Sequence, residues 1–466
     1  MSVKGFLRGV LPPTNRNFEK KVIELESRLG QALSDNHELK SQVAHLQERL
    51  DLVSDELFRA NGRLVETNDK VSFIERRQRF VNTEYLSLPP DIEGRILVAG
   101  WYGADNFGDE LMLRTVIESF PREALDRVYV LLWDNPRYDR WQLDLAVHVV
   151  HYPNSIWDLE ILSERFDTLV WGGGAIIDDK QFTADPGNFN TGNLLIRLSE
   201  LMLARGKKVY ALGLSANDRL ENEQYIERLS AVIDSCDLFS MRDPHSTEAL
   251  ARAGVDVGKI VQCEDLAFCS SDLMKLRDAR EPVLEKRLGV VLLCVEDSFE
   301  HYVRVLGSLA ANERLRDEGY AIALIPFLDE NKLDETYFAR LLERIPDADR
   351  IVIEDYAPDL LDTPIARCSA LVSYKYHASL IADVLGIPNI CVFSDSHPHY
   401  KNKMTHLAEL ASVSGTLYSS SSFEKGCNDA IEALLSSSDL PHVAIEMILE
   451  QRQWLVKVCQ EISGRS

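Results

Sequence analysis

The feature that most restricts the fold of this chain is an alternation of short apolar runs with helix-length amphipathic segments, which begins after Pro90. The first series of β-rich runs lies at residues 95–100, 127–133, 146–152, 168–174, 207–214, 237–243 and 259–264. Helical patterns lie between most of these runs, for example at 108–119, 191–205, 222–234 and 244–253. Near-continuous apolar strands that alternate with helices are typical of a parallel sheet covered on both faces. The sequence therefore predicts an α/β fold whose first half is Rossmann-like.

A second series of the same kind follows a charged stretch, which we interpret as a linker. Its β-rich runs lie at 289–295, 320–327, 350–356, 370–375 and 389–393. Its helical patterns lie at 299–318, 331–344, 358–367, 377–386 and 401–411, and a helical tail at 422–462 can cross back to the first half. Two such halves face each other in a GT-B-like arrangement, and ligands bind beyond the carboxyl ends of the strands.

The length of 466 residues is too great for one ordinary hydrophobic core, so several domains are expected. The predicted segments are an N-terminal tail at 1–17, a coiled coil at 18–89, a Rossmann-like N-terminal half at 90–272, a linker at 273–288, a Rossmann-like C-terminal half at 289–421 and C-terminal helices at 422–466.

The N-terminal segment has a different pattern from the rest of the chain. Between Phe18 and Ile74 apolar residues recur at alternating spacings of three and four, which predicts a coiled-coil helix. Asn36 occupies a core position of this repeat, and a buried Asn favours one register and a parallel dimer. Lys21 and Glu26 would attract each other across that homodimer. The alternative is a single long helix that folds back on the body of the protein.

The net charge of −23 is unevenly distributed. Residues 1–89 carry 14 Lys and Arg against 13 Asp and Glu, so the remaining residues carry 37 minus 61, or −24. A body this acidic repels nucleic acid, and we expect no nucleic-acid partner. An anionic ligand would therefore need a few cations gathered in one pocket.

The targeting signals and the cysteines give a consistent prediction of location. No stretch approaches the roughly 20 apolar residues that a transmembrane segment needs, and Met1 to Val10 is too short for a signal peptide. The eight cysteines are scattered, and none forms a Cys-x-x-Cys pair, so neither a disulfide framework nor a metal site is expected. We predict a cytoplasmic protein and leave open a peripheral position at the inner face of the membrane.

The first candidate segment is GWYGADNFGDE at 100–110, directly after the first predicted strand. Gly103 and Gly108 allow tight turns and leave backbone amides accessible before a helix that begins near Asp109. Such a helix N-terminus can bind an anion. The alternative is that Asn106 and Asp109 only cap the helix.

The second candidate segment is WGGGAIIDDK at 171–180, where Gly172, Gly173 and Gly174 end a predicted strand. Glycines at this point allow a ligand to approach the backbone closely. A tight strand-to-loop turn would explain them equally well.

The third and fourth candidate segments supply cations. Arg242 ends a predicted strand, and its planar fork suits a carboxylate or a phosphate; the alternative is a pair with Asp243 or another carboxylate. Lys375 and His377 lie where a strand becomes a helix in the second half, and the alternative for His377 is a purely structural role. Further along, the basic residues of the stretch after the last predicted strand are interpreted as a solvated loop, and the alternative is a loop that contacts the ligand: His397, His399, Lys401 and Lys403.

These segments occur in a characteristic order. The order comprises a Gly-x-x-x-x-Asn-x-Gly-Asp opening, a Gly-Gly-Gly strand end, an Arg-Asp-x-x-Ser element, Glu-Asp-Leu-Ala-Phe at 264–268 and a basic-x-His-Ala element before Gly-Ile-Pro. In this order and spacing the chain resembles the polysaccharide pyruvyl transferase family, over about residues 95–412. The coiled coil and the tail lie outside the resemblance.

The resemblance implies transfer of an enolpyruvyl group from phosphoenolpyruvate to sugar hydroxyls, with closure to a pyruvate ketal. The acceptor would be a sugar or lipid-linked oligosaccharide, a precursor of a cell-envelope or capsular polysaccharide. Phosphoenolpyruvate would be a substrate, and no cofactor or metal is implied. The family's donor site maps onto Arg242, Lys375 and His377, although the position of Lys375 is more often arginine.

The resemblance also implies catalytic roles. His377 would bind the phosphate or donate a proton to the vinyl carbon, since an imidazole can exchange protons near neutral pH. Asp109 or Asp265 would orient or deprotonate the acceptor hydroxyl. Two other functions stay open: a GT-B-type glycosyltransferase that uses a nucleotide-sugar, and a non-catalytic coiled-coil scaffold of a glycan-synthesis complex.

Overall fold

The computed structural model of the chain describes residues 20–21, 23–25, 27–28, 88, 93–133, 147–153, 156–180, 182, 191–280, 286–328, 333–346, 348–357, 359–395, 399–411, 416–437 and 443–464. The chain divides into two compact units, Met1–Phe80 and Val81–Ser466. In the first unit the described residues between 20 and 28 are helical. The predicted N-terminal tail at 1–17 lies outside the described residues. So do the rest of the coiled coil at 18–89, with Asn36, and the predicted parallel homodimer.

The first half of the second unit is built on a parallel sheet. Its strands are β1 (Ile96–Ala99), β2 (Val128–Leu132), β3 (His148–His151), β4 (Thr168–Ile177), β5 (Lys208–Ala216), β6 (Leu238–Met241) and β7 (Ile260–Gln262). Among the described residues the order across this sheet is β3-β2-β1-β4-β5-β6-β7. Its helices are α1 (Phe107–Ser119), α2 (Ile156–Arg165), α3 (Thr191–Ala204), α4 (Glu223–Ser235), α5 (Pro244–Arg252) and α6 (Ser271–Ala279).

The second half repeats this plan. Its strands are β8 (Arg287–Val291), β9 (Ala321–Leu324), β10 (Ile351–Ile353), β11 (Ala370–Ser373), β12 (Asn389–Phe393) and β13 (Leu417–Ser419). The order across the described part of this parallel sheet is β10-β9-β8-β11-β12-β13. The helices that follow are α7 (Phe299–Ala311), α8 (Glu313–Asp317), α9 (Leu333–Leu342), α10 (Tyr376–Val384), α11 (His399–Leu410), α12 (Ser420–Ser436) and α13 (Ile445–Ile462).

The strand orders reverse at one point in each sheet, between β1 and β4 in the first and between β8 and β11 in the second. The connections that leave these strands diverge there and open a crevice at the carboxyl ends. The 100–106 loop follows β1, and Lys375 follows β11, so both enter the crevice region of their own half. The predicted α/β fold of two parallel-sheet halves is confirmed.

Two predicted helices are interrupted, and the sequence around each break explains why. The helix predicted at 299–318 divides at Asn312, whose side chain accepts a hydrogen bond of 2.9 Å from the Leu315 amide and so starts α8. The segment 358–367, also predicted as a helix, forms two short 3-10 turns instead, Leu360–Asp362 and Pro364–Arg367. Pro364 has no amide hydrogen and cannot continue the preceding turn.

Three other boundaries differ from the prediction. Strand β4 continues through the three glycines to Ile177, because the long strand β5 pairs with it beyond Gly174. The segment 273–288, which we predicted as a linker, contains most of α6 and the beginning of β8. Strand β13 was not predicted, since its three residues carry no apolar run.

The C-terminal helix α13 returns to the first half. Gln451 donates a hydrogen bond of 3.2 Å to the backbone oxygen of Glu264. The sulfur of Cys459 lies 3.9 Å from the backbone oxygen of Val116. Buried residues of α13 and of the first half belong to one hydrophobic cluster. Within the described ranges, no helix has both the length and the apolar character needed to cross a membrane.

Candidate active site between the two halves

The loop after β1 is held by hydrogen bonds at its start. The buried Tyr102 hydroxyl donates to the backbone oxygen of Gly172 in the adjacent strand β4. The Gly103 amide donates to Glu110 Oε1 at 2.7 Å, and Gly103 has a φ of +86°, which favours glycine. The loop therefore enters α1 with a fixed backbone.

Asn106 and Asp109 act as a pair at the start of α1. Asn106 is the N-cap residue, but its side chain accepts no capping hydrogen bond; its amide Nδ2 instead donates to Asp109 Oδ2 at 2.7 Å. Asn106 thus occupies the N-cap position, as the capping alternative held, but its side chain contacts Asp109 and not a backbone amide. Asp109 lies deep between the halves while part of its side chain is still exposed, and burial raises its pKa to about 6 despite the nearby His377 and Arg242. This carboxyl group can gain and lose a proton near neutral pH.

Two of the three glycines of β4 make room for α1, whereas Gly172 makes room for the Tyr102 ring. A Cβ on Gly173 would lie 2.7 Å from the Met112 sulfur, and a Cβ on Gly174 would lie 3.3 Å from Asp109 Oδ1. Both glycines have positive φ, at +48° and +111°. Their absence of side chains thus lets α1, and with it Asp109, approach the sheet closely.

Arg242 directly follows β6 and is almost completely buried. Its Nη1 donates to Asp265 Oδ2 at 2.5 Å, and its guanidinium lies 4.9 Å from the centre of the Tyr376 ring in the second half. The alternative of a pair with a carboxylate is thus correct, and the partner is Asp265. Asp243 instead caps α5, where its side chain accepts a hydrogen bond of 2.7 Å from the Ser246 amide. The Nε and Nη2 of Arg242 make no hydrogen bond to any residue that the structure describes.

Asp265 joins the two halves. It is fully buried, which opposes its ionisation, but Arg242 and His377 hold the pKa of its carboxyl group well below its usual range. His377 Nε2, at the start of α10 in the second half, lies 3.5 Å from Asp265 Oδ2. A Cβ on Gly108 would overlap the His377 ring, so only glycine at this position of α1 admits the imidazole. The structure therefore brings Arg242, His377, Asp265 and Asp109 together.

Lys375 does not join this cluster through its contacts. Its Nζ lies 3.6 Å from Asp334 Oδ2 and 5.6 Å from the centre of the Phe327 ring, both in the second half. Asp334 is buried and also accepts a hydrogen bond of 2.8 Å from the Phe327 amide. The place of Lys375 in the predicted pocket with Arg242 and His377 therefore stays a prediction, since its described contacts lie with a buried carboxylate and a ring of its own half.

Lys403 is a further buried cation near Arg242 and Asp109. The stretch interpreted as a solvated loop begins α11 at His399, and Lys403 on this helix is 5% exposed. Burial, and after it the charge of Arg242, lowers the pKa of Lys403 to about 8, and Asp243, Asp218 and Asp109 lie near enough to oppose the shift. The neighbouring Asn402 donates to Asp218 of the first half at 2.9 Å, which docks α11 across the interface. The helical period of 401–411 was the only signal for this burial.

Glu110 offers a test of how the loop is held. The side chain is 1% exposed, and burial raises its pKa to about 8 although the Gly103 amide donates to it. At a pH between the ordinary pKa of 4.5 and this raised pKa, the Glu110 carboxyl group has lost its proton in the unfolded chain but keeps it in the folded chain. Raising the pH through this window therefore favours unfolding, by up to about 1.4 kcal/mol per pH unit.

We expect the Glu110→Gln variant to lose this dependence. Between about pH 5 and about pH 8, the unfolding free energy of the variant should therefore rise relative to that of the wild type. Urea unfolding of both proteins across that range measures the difference. Glu118→Gln is the matched control, because Glu118 lies on the same helix and is exposed. An equal slope in wild type and Glu110→Gln would show that Glu110 is ionised in the folded protein.

The family model described as polysaccharide pyruvyl transferase matches residues 106–396. No curated protein matches the chain. Among the residues that the structure describes, no group of three His, Cys, Asp or Glu side chains could hold a metal ion.

Solved structures show the same fold at low identity. The structure of Anabaena HepE in complex with UDP-glucose has a TM-score of 0.52 and 13% identity, and covers 79% of this chain and 98% of that chain. Anabaena HepE in complex with UDP has a TM-score of 0.50, with the same identity and the same coverage of 79% and 98%. The UDP-GlcNAc 2-epimerase from Methanocaldococcus jannaschii has a TM-score of 0.49 and 10% identity, and covers 78% of this chain and 98% of that chain.

Proposed function

Because the chain belongs to the polysaccharide pyruvyl transferase family, we propose that it transfers the enolpyruvyl group of phosphoenolpyruvate to sugar hydroxyls and closes it to a pyruvate ketal. The observation that carries this proposal is the meeting of Arg242 and His377, from opposite halves, at the buried Asp265. Although the protein is acidic overall, cationic side chains lie together between its two halves. A donor with a phosphate and a carboxylate requires such an arrangement.

The donor would be held by Arg242 and by the cationic side chains near it. Arg242 retains two nitrogens without a partner among the described residues, and its planar fork suits the carboxylate of phosphoenolpyruvate. His377 and Lys403 add positive charge beside it and would neutralise the phosphate. Asp265 would act as a positioning residue, because its low pKa and its contacts with Arg242 and His377 make it a fixed anion.

Asp109 is better suited than Asp265 to take a proton from the acceptor. A general base works best when its pKa lies near the operating pH, and the raised pKa of Asp109 meets this condition. Its hydrogen bond from Asn106 fixes the orientation of the carboxylate. The proposed roles are therefore His377 as proton donor or phosphate ligand and Asp109 as proton acceptor.

The proposed reaction balances without oxidation. One proton adds to C3 of phosphoenolpyruvate, and the first acceptor oxygen bonds to C2 after giving its proton to Asp109. The C2–O bond to phosphate breaks, and the second acceptor oxygen bonds to C2. The two hydroxyl protons are then found, in net, on C3 and on the released phosphate. The product is a ketal that spans two hydroxyls of one sugar.

The acceptor belongs to the same proposal. A sugar or lipid-linked oligosaccharide precursor of a cell-envelope or capsular polysaccharide fits the family, and phosphoenolpyruvate would serve as substrate, with no cofactor. We further propose a cytoplasmic site of action, where phosphoenolpyruvate is present, and a peripheral position at the inner membrane face if the acceptor is lipid-linked.

Ligand-induced thermal stabilisation tests the donor. A ligand at one hundred times its Kd stabilises the folded protein by about 2.7 kcal/mol, so phosphoenolpyruvate should raise the melting temperature clearly. Phosphate and pyruvate at equal concentration are the controls for the two parts of phosphoenolpyruvate. Each should raise the melting temperature less than phosphoenolpyruvate does.

UDP-glucose is the opposing ligand, because the Anabaena HepE structure of the same fold contains it. Stabilisation by UDP-glucose and none by phosphoenolpyruvate would replace the pyruvyl transferase proposal by a nucleotide-sugar glycosyltransferase. No shift with any of these ligands would favour the scaffold.

A further inference from the structure

Three aromatic side chains form a row at the carboxyl edge of the first sheet. Trp101 follows β1, Trp133 follows β2 and Tyr152 follows β3. The ring centres of Trp101 and Trp133 are 5.2 Å apart, and those of Trp133 and Tyr152 are 4.6 Å apart with the planes at 22°. We call these three residues the aromatic row.

The aromatic row is fixed to the backbone of the loop after β1. The Tyr152 hydroxyl donates to the Gly100 carbonyl at 2.6 Å, and the Trp133 amide donates to the Tyr102 carbonyl at 3.0 Å. Tyr152 is 3% exposed and forms the buried end, whereas Trp101 at the other end is 40% exposed. Trp101 is thus a large exposed ring with a rigid support, and a ligand that binds it loses little conformational entropy of the protein.

The position of Trp101 connects it to the candidate active site. It lies on the loop between Gly100 and Asn106, and Asn106 orients the carboxylate of Asp109. This loop leaves the sheet at the point between β1 and β4 where the strand order reverses. A ligand on Trp101 would therefore lie at the same edge of the sheet as the proposed proton acceptor.

We propose that Trp101 is the binding platform for the pyranose ring of the acceptor. This inference rests on the proposed function of the site. A pyranose presents axial C–H groups on one face, and these carry partial positive charge that the negative face of an indole attracts. Its hydroxyls project from the ring edge, so stacking leaves them free to bind polar groups of the site. Ligand sites typically combine such an apolar surface with few polar groups that set orientation.

Saturation-transfer NMR titration with defined pyranosides tests the platform directly. The probes are methyl β-D-glucopyranoside, methyl β-D-galactopyranoside and methyl N-acetyl-β-D-mannosaminide, added to the full chain without phosphoenolpyruvate. We expect Trp101→Ala to weaken binding of the preferred pyranoside about tenfold. Trp101→Phe should retain most of the affinity, because it keeps an aromatic face. Leu449→Ala is the matched control, since Leu449 is 45% exposed on α13 and should leave binding unchanged.

The phosphoenolpyruvate thermal shift, measured on the same variants, separates this inference from the proposed function. A shift that persists in Trp101→Ala together with lost pyranoside binding supports both. Pyranoside binding that depends on Trp101 without any phosphoenolpyruvate shift would sustain the platform and remove the proposed donor. Equal pyranoside affinity in wild type and Trp101→Ala, or no transfer from the wild type to any of the three probes, would overturn the platform.

Discussion

Replacing Asp109 by asparagine should lower kcat by about two to four orders of magnitude, because it removes the proposed proton acceptor and keeps its size. The fold should survive, since no ion pair within 4 Å joins Asp109 to a residue that the structure describes. The amide oxygen of an asparagine can still accept the hydrogen bond that Asn106 Nδ2 donates. Turnover would be measured as phosphate released from phosphoenolpyruvate in the presence of an acceptor.

The pH dependence of this reaction gives a second, independent measurement. The pKa of Asp109 is about 6, so its carboxyl group is protonated and inactive as a base below that pH. In the wild type kcat/KM should therefore fall about tenfold per pH unit below pH 6, and this acidic limb should be absent from the residual activity of Asp109→Asn.

The matched control is Asp272→Asn. Asp272 is another largely buried carboxylate of the first half, but it pairs with Lys275 at 2.8 Å on α6, away from the cluster. It should keep both the turnover and the acidic limb. If Asp109→Asn retained the limb with its turnover intact, another group would be the proton acceptor.

Replacing Arg242 by alanine should cost about 3–5 kcal/mol of unfolding free energy, because the fully buried Asp265 loses its charged partner. The same change should abolish stabilisation by phosphoenolpyruvate, since it removes the two guanidinium nitrogens assigned to the donor. Urea unfolding at neutral pH, followed by thermal shift with the ligand, measures both effects.

Arg228→Ala provides the control for this substitution. Arg228 also pairs with a carboxylate in the first half, Glu200, but both side chains are substantially exposed, at 28% and 37%. Such a pair contributes about 0–1 kcal/mol, so the two arginine variants should differ several-fold in cost. Removing Asp265 together with Arg242 should recover part of the loss, and a cost for Arg242→Ala as small as that for Arg228→Ala would show that Asp265 is hydrated.

The sequence predicted features that depend on neighbours along the chain. Apolar runs placed nearly every strand. A helix cap such as Asp243 is equally local, because its side chain reaches an amide three residues on. The break at Asn312 depends on the same local chemistry, but the apolar period continues across it and hides the cap. Strand β13 has no apolar run at all, and its pairing with β12 decides its conformation.

The composition of the site was harder to predict, because it depends on contacts between distant segments. Nothing near Lys375 indicates that Asp334 will hold it, and nothing near Lys403 indicates that α11 will dock on the first half. Gly108 was interpreted as a glycine that allows a tight turn and leaves backbone amides accessible. The group that approaches, the ring of His377, comes from the other half and follows only from the tertiary structure.

The return of α13 also has a consequence for how the protein can be divided. The first half of the structure is not a continuous stretch of sequence, because its hydrophobic surface is completed by residues such as Leu455, Cys459 and Ile462 from the end of the chain. A fragment that stops at the junction between the sheets would expose that surface to water. We therefore expect the two halves to unfold together, and we expect truncation of the last helix to destabilise the interface that carries the cluster.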